Sequence, residues 1–92
     1  MSNDDRKIIV QRCGVLLYGE RWKTPLARDL GYTDANVING WLAAKGSPSY
    51  RTVPPAVIDR LRTHLEDRHY GLTRMINTID RYNAINSYNE KV

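Results

Sequence analysis

The chain has 92 residues, the size of one domain, which leaves no room for two separate hydrophobic cores. Its 14 Lys and Arg residues against 10 Asp and Glu give a net charge of +4, a mild basic excess that many proteins share with compact nucleic-acid binders. A single cysteine, Cys13, excludes an intrachain disulfide, and its spacing from His64 and His69 fits no metal site, so we expect no metal and no cofactor. No signal peptide and no apolar run of about 20 residues is present, so we expect a cytoplasmic, nucleoid-associated protein without a membrane partner.

The first predicted helix covers about residues 4–18, where apolar side chains recur at helical spacing. Asp4 and Asp5 lie near its start, where the helix dipole favours negative charge, and Gly19 follows its end as a stop signal. Cys13 falls within the apolar stripe of this helix. We therefore expect its thiol to be a small buried hydrophobic group.

The second and third predicted helices are short and follow each other closely. Thr24 and Pro25 open the second, because threonine is a favourable N-cap and proline fits the first helical position. This helix ends at Gly31, and the third begins almost at once with Thr33 as its expected N-cap. Two short helices joined by a glycine turn predict a helix-turn-helix over residues 24–44.

The rest of the chain is predicted to hold two more helices after a polar loop. A fourth helix begins at Pro54–Pro55 and is expected to close near Gly71, and a fifth covers about residues 72–88. Acidic and basic residues interleave between 59 and 68, which predicts a solvated, salt-bridged helix face. No segment alternates as a strand would. We therefore predict an all-α fold: a single compact domain over residues 1–92, built from about five helices.

The residues around the glycine turn meet the steric needs of a helix-turn-helix. A steep helix crossing needs a small residue at the contact, and Ala27 lies four positions before Gly31. Gly31 can adopt the left-handed backbone that the turn requires. Leu26, Leu30 and Val37 are expected to fill the wedge between these helices and the first one. Trp22 and Trp41 are also expected in the core, although tryptophan can stack on bases.

This stretch resembles the helix-turn-helix of small lambda-repressor-like (XRE-type) regulators from bacteria and their phages. That family has an alanine in the first short helix, a glycine in the turn and an aliphatic residue six positions later, a pattern that Ala27, Gly31 and Val37 match. The resemblance covers about residues 15–68. It departs at Gly40, where the family usually has a second apolar residue, and Trp41 is expected to supply the buried bulk instead.

The resemblance implies that the third helix lies in the major groove of DNA with its N-terminal residues at the base edges. Asparagine can bridge adenine N6 and N7, and alanine or isoleucine can touch a thymine methyl. Asp34 can accept from cytosine or, as the preferred alternative, cap its own helix; Ile38 can face either the core or the DNA. The predicted base-reading residues are Thr33, Asp34, Ala35, Asn36, Ile38 and Asn39.

Polar and basic residues on both sides of this helix are expected to contact DNA phosphates, which position the protein without reading sequence. One set of these residues precedes the second helix, and the other lies in the loop after the third. The alternative for each residue is a solvated surface side chain that does not contact DNA. The predicted phosphate-contacting residues are Arg21, Lys23, Thr24, Lys45, Ser47, Ser49, Tyr50 and Arg51.

The last predicted helix carries an apolar stripe longer than a domain of this size needs. It either folds back over the first and fourth helices or pairs with its copy in a second subunit. A homodimer is the preferred alternative, because one small module binds DNA weakly and a dimer places two recognition helices about 34 Å apart. The predicted dimer interface comprises Leu72, Met75, Ile76, Ile79 and Tyr82.

The function predicted from these patterns is sequence-specific binding of double-stranded DNA by a transcriptional regulator, a repressor at a palindromic operator. No catalytic constellation appears, so no enzymatic activity is expected. One alternative is a phage-encoded protein-interaction module, such as an anti-CRISPR inhibitor that binds a host protein. Another is the DNA-binding part of a recombinase or transposase.

Overall fold

The computed structural model describes the backbone of residues 1–91 and the side chains of residues 1–85. This part of the chain is all-α and contains no strand. None of its helices is both long enough and apolar enough to cross a membrane. In chain order the elements are α1 (Asn3–Tyr18), a 3₁₀ turn (Gly19–Arg21), α2 (Lys23–Asp29), α3 (Asn36–Leu42) and α4 (Pro55–Lys91).

Both ends of α1 carry capping groups, of which Gly19 was predicted and Ser2 was not. The Ser2 hydroxyl accepts the Asp5 backbone N–H at 3.1 Å, and the Ser2 N–H donates to the Asp5 carboxylate at 3.2 Å. The Ser2 backbone N–H first, and the Ser2 side chain second, lower the pKa of the Asp5 carboxyl because they favour its charged form. At the other end Gly19 caps the helix with a φ of 76°.

The hydrophobic core lies between α1, α2, α3 and the first half of α4. Trp22 and Trp41 are both buried in it, as predicted, and the Trp41 ring meets Tyr32 edge-on with the ring centroids 5.6 Å apart. Burial also raises the pKa of the Cys13 thiol. The buried residues are Val10, Cys13, Leu17, Trp22, Leu26, Ala27, Leu30, Ile38, Trp41, Val53, Val57 and Leu61.

α1 packs closely against the indole ring of Trp22 at Gly14. Gly14 lies buried in α1, and a Cβ atom added there would overlap the six-membered part of the Trp22 ring. Protein interiors are close-packed and leave no space into which the ring can move. Glycine at position 14 therefore allows α1 to approach the start of α2.

The predicted N-caps of the two short helices are wrong. α2 begins at Lys23 with Trp22 at its N-cap, so Thr24 does not cap it. The 3₁₀ turn leads directly into α2, and the Trp22 carbonyl accepts the Leu26 N–H at 3.0 Å. The N-cap of α3 is Ala35 rather than Thr33, and the helix begins at Asn36, two residues further towards the C-terminus than predicted.

The predicted break at Gly71 is also wrong, because α4 continues through it as one helix of 37 residues. Gly71 has no positive φ, and a single glycine costs a helix only about 1 kcal/mol. The described residues therefore form four α-helices and one 3₁₀ turn. The fold is not compact: its long axis is 69 Å, and its radius of gyration of 18.8 Å exceeds the about 12 Å of a globular domain this size.

Two arginine side chains of α4 donate hydrogen bonds to backbone carbonyls at the C-terminal ends of two other helices. Arg60 Nη1 donates to the Leu30 carbonyl after α2 at 2.8 Å, and Arg68 Nη2 donates to the last turn of α1 at 3.0 Å. The charged residues between 59 and 68 are exposed, as predicted for a solvated face, but the salt bridges expected along it are mostly absent from the described side chains. Within residues 1–85 the one ion pair joins Arg62 and Glu66 at 3.0 Å.

Candidate nucleic-acid interface

A tight turn at Gly31 joins α2 to α3. Gly31 has a φ of 89°, a backbone conformation that side chains disfavour. Its N–H donates to the Arg28 carbonyl at 3.0 Å, and the Tyr32 N–H donates to the Ala27 carbonyl at 2.9 Å. Ala27 is fully buried, as expected for the small residue at the contact between the two helices.

α3 has one buried face and one exposed face. Ile38 and Trp41, three residues apart, point into the core, while Asn36 and Asn39, also three apart, are exposed together. Ile38 is 0% exposed, so the prediction that it reads DNA bases is wrong. It takes the core alternative instead, and Val37, which is half-buried, packs against the core as expected.

Neighbouring segments border the exposed face of α3 on both sides. Lys23 Nζ donates to Asn39 Oδ1 at 3.2 Å, so a predicted phosphate contact lies beside a predicted base reader. On the other side the Arg51 N–H donates to the Gly40 carbonyl at 3.0 Å, and a Cβ at Gly40 would lie 3.0 Å from the Ser49 carbonyl oxygen. The loop therefore packs on α3 at Gly40 and bounds the exposed face there.

The remaining predicted base readers lie in the turn before α3. Thr33 and Asp34 are exposed, and Ala35 is half-buried at the N-cap. The Asp34 carboxylate accepts the Asn36 N–H at 2.8 Å. Asp34 therefore forms a local turn one residue before the N-cap Ala35, and does not itself occupy the capping position that was the preferred alternative.

The loop after α3 is held by its own hydrogen bonds. The hydroxyls of Ser47 and Ser49 lie 3.0 Å apart, and Ser47 also accepts the Ser49 N–H at 3.3 Å. The Arg51 guanidinium donates to the carbonyls of Pro48 at 3.3 Å and Tyr50 at 2.7 Å. Arg51 is exposed, so its charge lies at the surface beside the end of α3.

Sequence reasoning missed a further cation, Lys7 of α1, at the end of α3. Lys7 Nζ donates to the Ala43 carbonyl at 3.1 Å and lies 5.8 Å from the centroid of the Tyr50 ring. The Tyr50 hydroxyl in turn accepts a hydrogen bond from Asn3 at 2.9 Å. Lys7 is 36 positions from Ala43 along the chain, and no local pattern indicates this contact.

The predicted phosphate-contacting residues that precede the second helix lie at the start of α2. Arg21, Lys23 and Thr24 are exposed and line a shallow groove of about 400 Å³. Glu20 lines the same groove and brings a carboxylate that the prediction had left out. Lys45 is exposed in the loop after α3. Within residues 1–85 none of these cations forms an ion pair, so no carboxylate neutralises them at short range.

The candidate interface therefore consists of an open amide face on α3 with cations on both of its sides. No group of three His, Cys, Asp or Glu that could hold a metal ion occurs within the part of the chain that the structure describes. No protein-family model, curated protein or solved structure matches the chain.

Proposed function

We propose that the chain is a sequence-specific transcriptional regulator that binds double-stranded DNA through a lambda-repressor-like helix-turn-helix. In this proposal α2, the Gly31 turn and α3 form the motif, and α3 enters the major groove. The observation that carries the proposal is the open face of α3, on which Asn36 and Asn39 are exposed together beside Lys23. Asparagine amides recognise adenine in the major groove, and ammonium groups contact phosphates.

The proposed DNA contacts are of two kinds: contacts to base edges, which read the sequence, and contacts to phosphates, which position the protein. Asn36 and Asn39 read bases, because they are the exposed amide side chains of α3. Arg21 and Lys23 contact phosphates on one side of the helix, and Lys45 and Arg51 contact phosphates on the other, each as a predicted phosphate contact at an exposed position. These cations supply affinity without sequence preference.

The proposed mode of regulation is repression by occupancy in the cytoplasm, on nucleoid DNA. A protein bound at a promoter excludes RNA polymerase from the same stretch of DNA. Two copies on a palindromic operator bind more tightly than one small module, because each copy adds its own phosphate and base contacts.

A second candidate function, protein interaction, is favoured by the outer face of α1. Ile8, Val15 and Leu16 are exposed there, and with Gln11 and Arg12 they line an open groove of about 660 Å³. Exposed apolar patches of this kind mark protein interfaces. If a host protein occupies this face, the chain is an interaction module, as a phage-encoded anti-CRISPR inhibitor would be.

Titration of a labelled duplex at several salt concentrations separates the two candidates. DNA binding predicts that log K falls linearly with log salt, with a slope of about −0.9 per neutralised phosphate. Lys45→Gln is expected to make the slope shallower by about 0.9, because it removes one phosphate contact. Arg74→Gln removes the same charge from the exposed second half of α4 and should leave the slope unchanged. A flat salt dependence that Lys45→Gln does not alter would contradict DNA binding.

A further inference from the structure

The second half of α4 projects from the domain without contacts of its own. Every residue from 69 to 85 is exposed. This segment carries a stripe of apolar side chains that are each 50–65% exposed. Together they form a contiguous apolar surface, larger than the surface that a single exposed apolar residue presents. We call it the α4 stripe; its members are Leu72, Met75, Ile76, Ile79 and Tyr82.

The α4 stripe points in the same direction as the buried face of α4. Met75 follows Val57 by 18 residues, and Ile79 follows Leu61 by 18 residues, which is five full turns of an α-helix. Val57 and Leu61 are 2% and 1% exposed and pack in the core with α1. The stripe is therefore an extension of the core-facing side of α4 beyond the end of the core.

α1 lies along that side of α4 and runs in the same direction. Near its start, Asn3 Oδ1 accepts the Val53 N–H at 2.8 Å, and near its end the Leu17 carbonyl accepts from Arg68 at 3.0 Å. α1 thus fills the space next to residues 53–68. The α4 stripe begins four residues later, where α1 has ended.

We propose that the α4 stripe is covered by the same stripe of a second copy of the chain, with the two α4 helices antiparallel. A parallel partner helix would extend back along α4 into the space that α1 fills. An antiparallel partner helix reaches that space only with its last residues, 86–91, which lie opposite residues 63–68 when the two-fold axis is at residue 77, and it carries its own core away past the opposite end of α4. The packing of α1 therefore favours the antiparallel arrangement.

The spacing of the stripe gives this pairing a register. With the two-fold axis at residue 77, Leu72 lies opposite Tyr82 of the partner subunit, and Met75 lies opposite Ile79 of the partner subunit. These two layers each join two apolar side chains, and the axis repeats both layers in reverse order. The fifth member, Ile76, lies one residue from the axis, about 3 Å along the seam from Ile76 of the partner subunit. Four of the five apolar positions thus match when the stripe is read in both directions.

Charge and area also favour a second copy as the occupant. The α4 stripe contains no charged residue, and Arg74, Asp80 and Arg81 fall at helical positions outside it. Two copies therefore meet without like charges in the seam. Two facing stripes remove on the order of 1,000 Å² from water, the lower bound for a specific interface.

Combined with the proposed function, on which this step alone depends, the arrangement sets the spacing of the operator. α3 shares the core with Val57, which is 20 residues, or about 30 Å, from the axis. The two α3 helices are then about 60 Å apart along the paired helices. This favours half-sites two turns of DNA apart (about 68 Å) over the one-turn spacing of about 34 Å expected from the sequence.

Sedimentation equilibrium without DNA tests the pairing. The full chain is expected to be a dimer at tens of micromolar, and Ile79→Asp is expected to be a monomer with its helix content retained. The control is Tyr70→Asp, which alters a residue 64% exposed on the opposite side of α4 and should leave the dimer intact. A monomeric wild-type chain, or a dimer that survives Ile79→Asp, would overturn the proposal.

Disulfide formation tests the orientation of the two helices. In a Cys13→Ala background, Leu72→Cys combined with Tyr82→Cys should cross-link the dimer on oxidation, while neither substitution alone should do so. The two copies of residue 72 are 10 residues, or about 15 Å, apart along the seam, beyond the reach of a disulfide. Cross-linking by Leu72→Cys alone would overturn the antiparallel arrangement. Because no DNA is present, a dimer that fails to bind DNA contradicts only the proposed function.

Discussion

Gly14→Ala is expected to destabilise the protein by about 3 kcal/mol, although alanine ordinarily favours a helix more than glycine does. The added Cβ would overlap the indole ring of Trp22, and both residues are buried. Relief of the overlap requires α1 to move away from the start of α2, which opens the core. Urea unfolding followed by circular dichroism measures the loss.

Gly71→Ala is the matched control, because it makes the same change inside another helix. No atom lies within 4 Å of a Cβ added at Gly71, so only the helix propensity changes there. This variant should gain helix content and stability of up to about 1 kcal/mol. Equal unfolding midpoints for the two variants would contradict the close packing of Gly14 against Trp22.

Asn36→Ala and Asn39→Ala are each expected to weaken binding to the selected operator by about 10- to 100-fold, which corresponds to roughly 1–3 kcal/mol for a bidentate base contact. Binding to a scrambled duplex should change little, because phosphate contacts carry the non-specific affinity. Both side chains are exposed on α3, so their truncation leaves the core intact. Titration of each variant on both duplexes gives the two affinities.

The control for these variants is Asn77→Ala, which removes an exposed amide from the second half of α4. It should bind both duplexes as the wild type does. If Asn36→Ala and Asn39→Ala lose affinity equally on the operator and on the scrambled duplex, the two asparagines do not read bases.

The parts of the fold that local sequence encodes could be predicted. Gly19 and Gly31 mark the ends of α1 and α2, and both have the positive φ that such ends require. Asp5 lies in the first turn of α1, as its charge favours. Gly71 carries the same local signal as these glycines, but the residues around it sustain the helix, and glycine alone does not end one.

The residues that tertiary contacts decide could not be predicted. The sequence left Ile38 between the core and the DNA face, and its packing among residues of α1, α2 and α4 decides for the core. Arg60 and Arg68 bond to carbonyls 30 and 51 positions away rather than to nearby carboxylates. Such long-range pairings leave no trace in the spacing of charges along the chain.

In the candidate site, too, the features set by local spacing could be predicted and those set by tertiary contacts could not. Asn36 and Asn39 have the i, i+3 spacing that places two side chains on one face, and the structure exposes both. The limit of that face is set by the contact of Ser49 with Gly40, which joins α3 to a loop whose path the sequence does not specify.

Selection of bound sequences from a random duplex pool tests the central claim, sequence-specific recognition of DNA, most directly. The account predicts enrichment of one inverted repeat, bound at about 10⁻⁸ M or tighter at physiological salt with two copies per site. A pool without an enriched sequence, together with weak binding that depends only on salt, would contradict it.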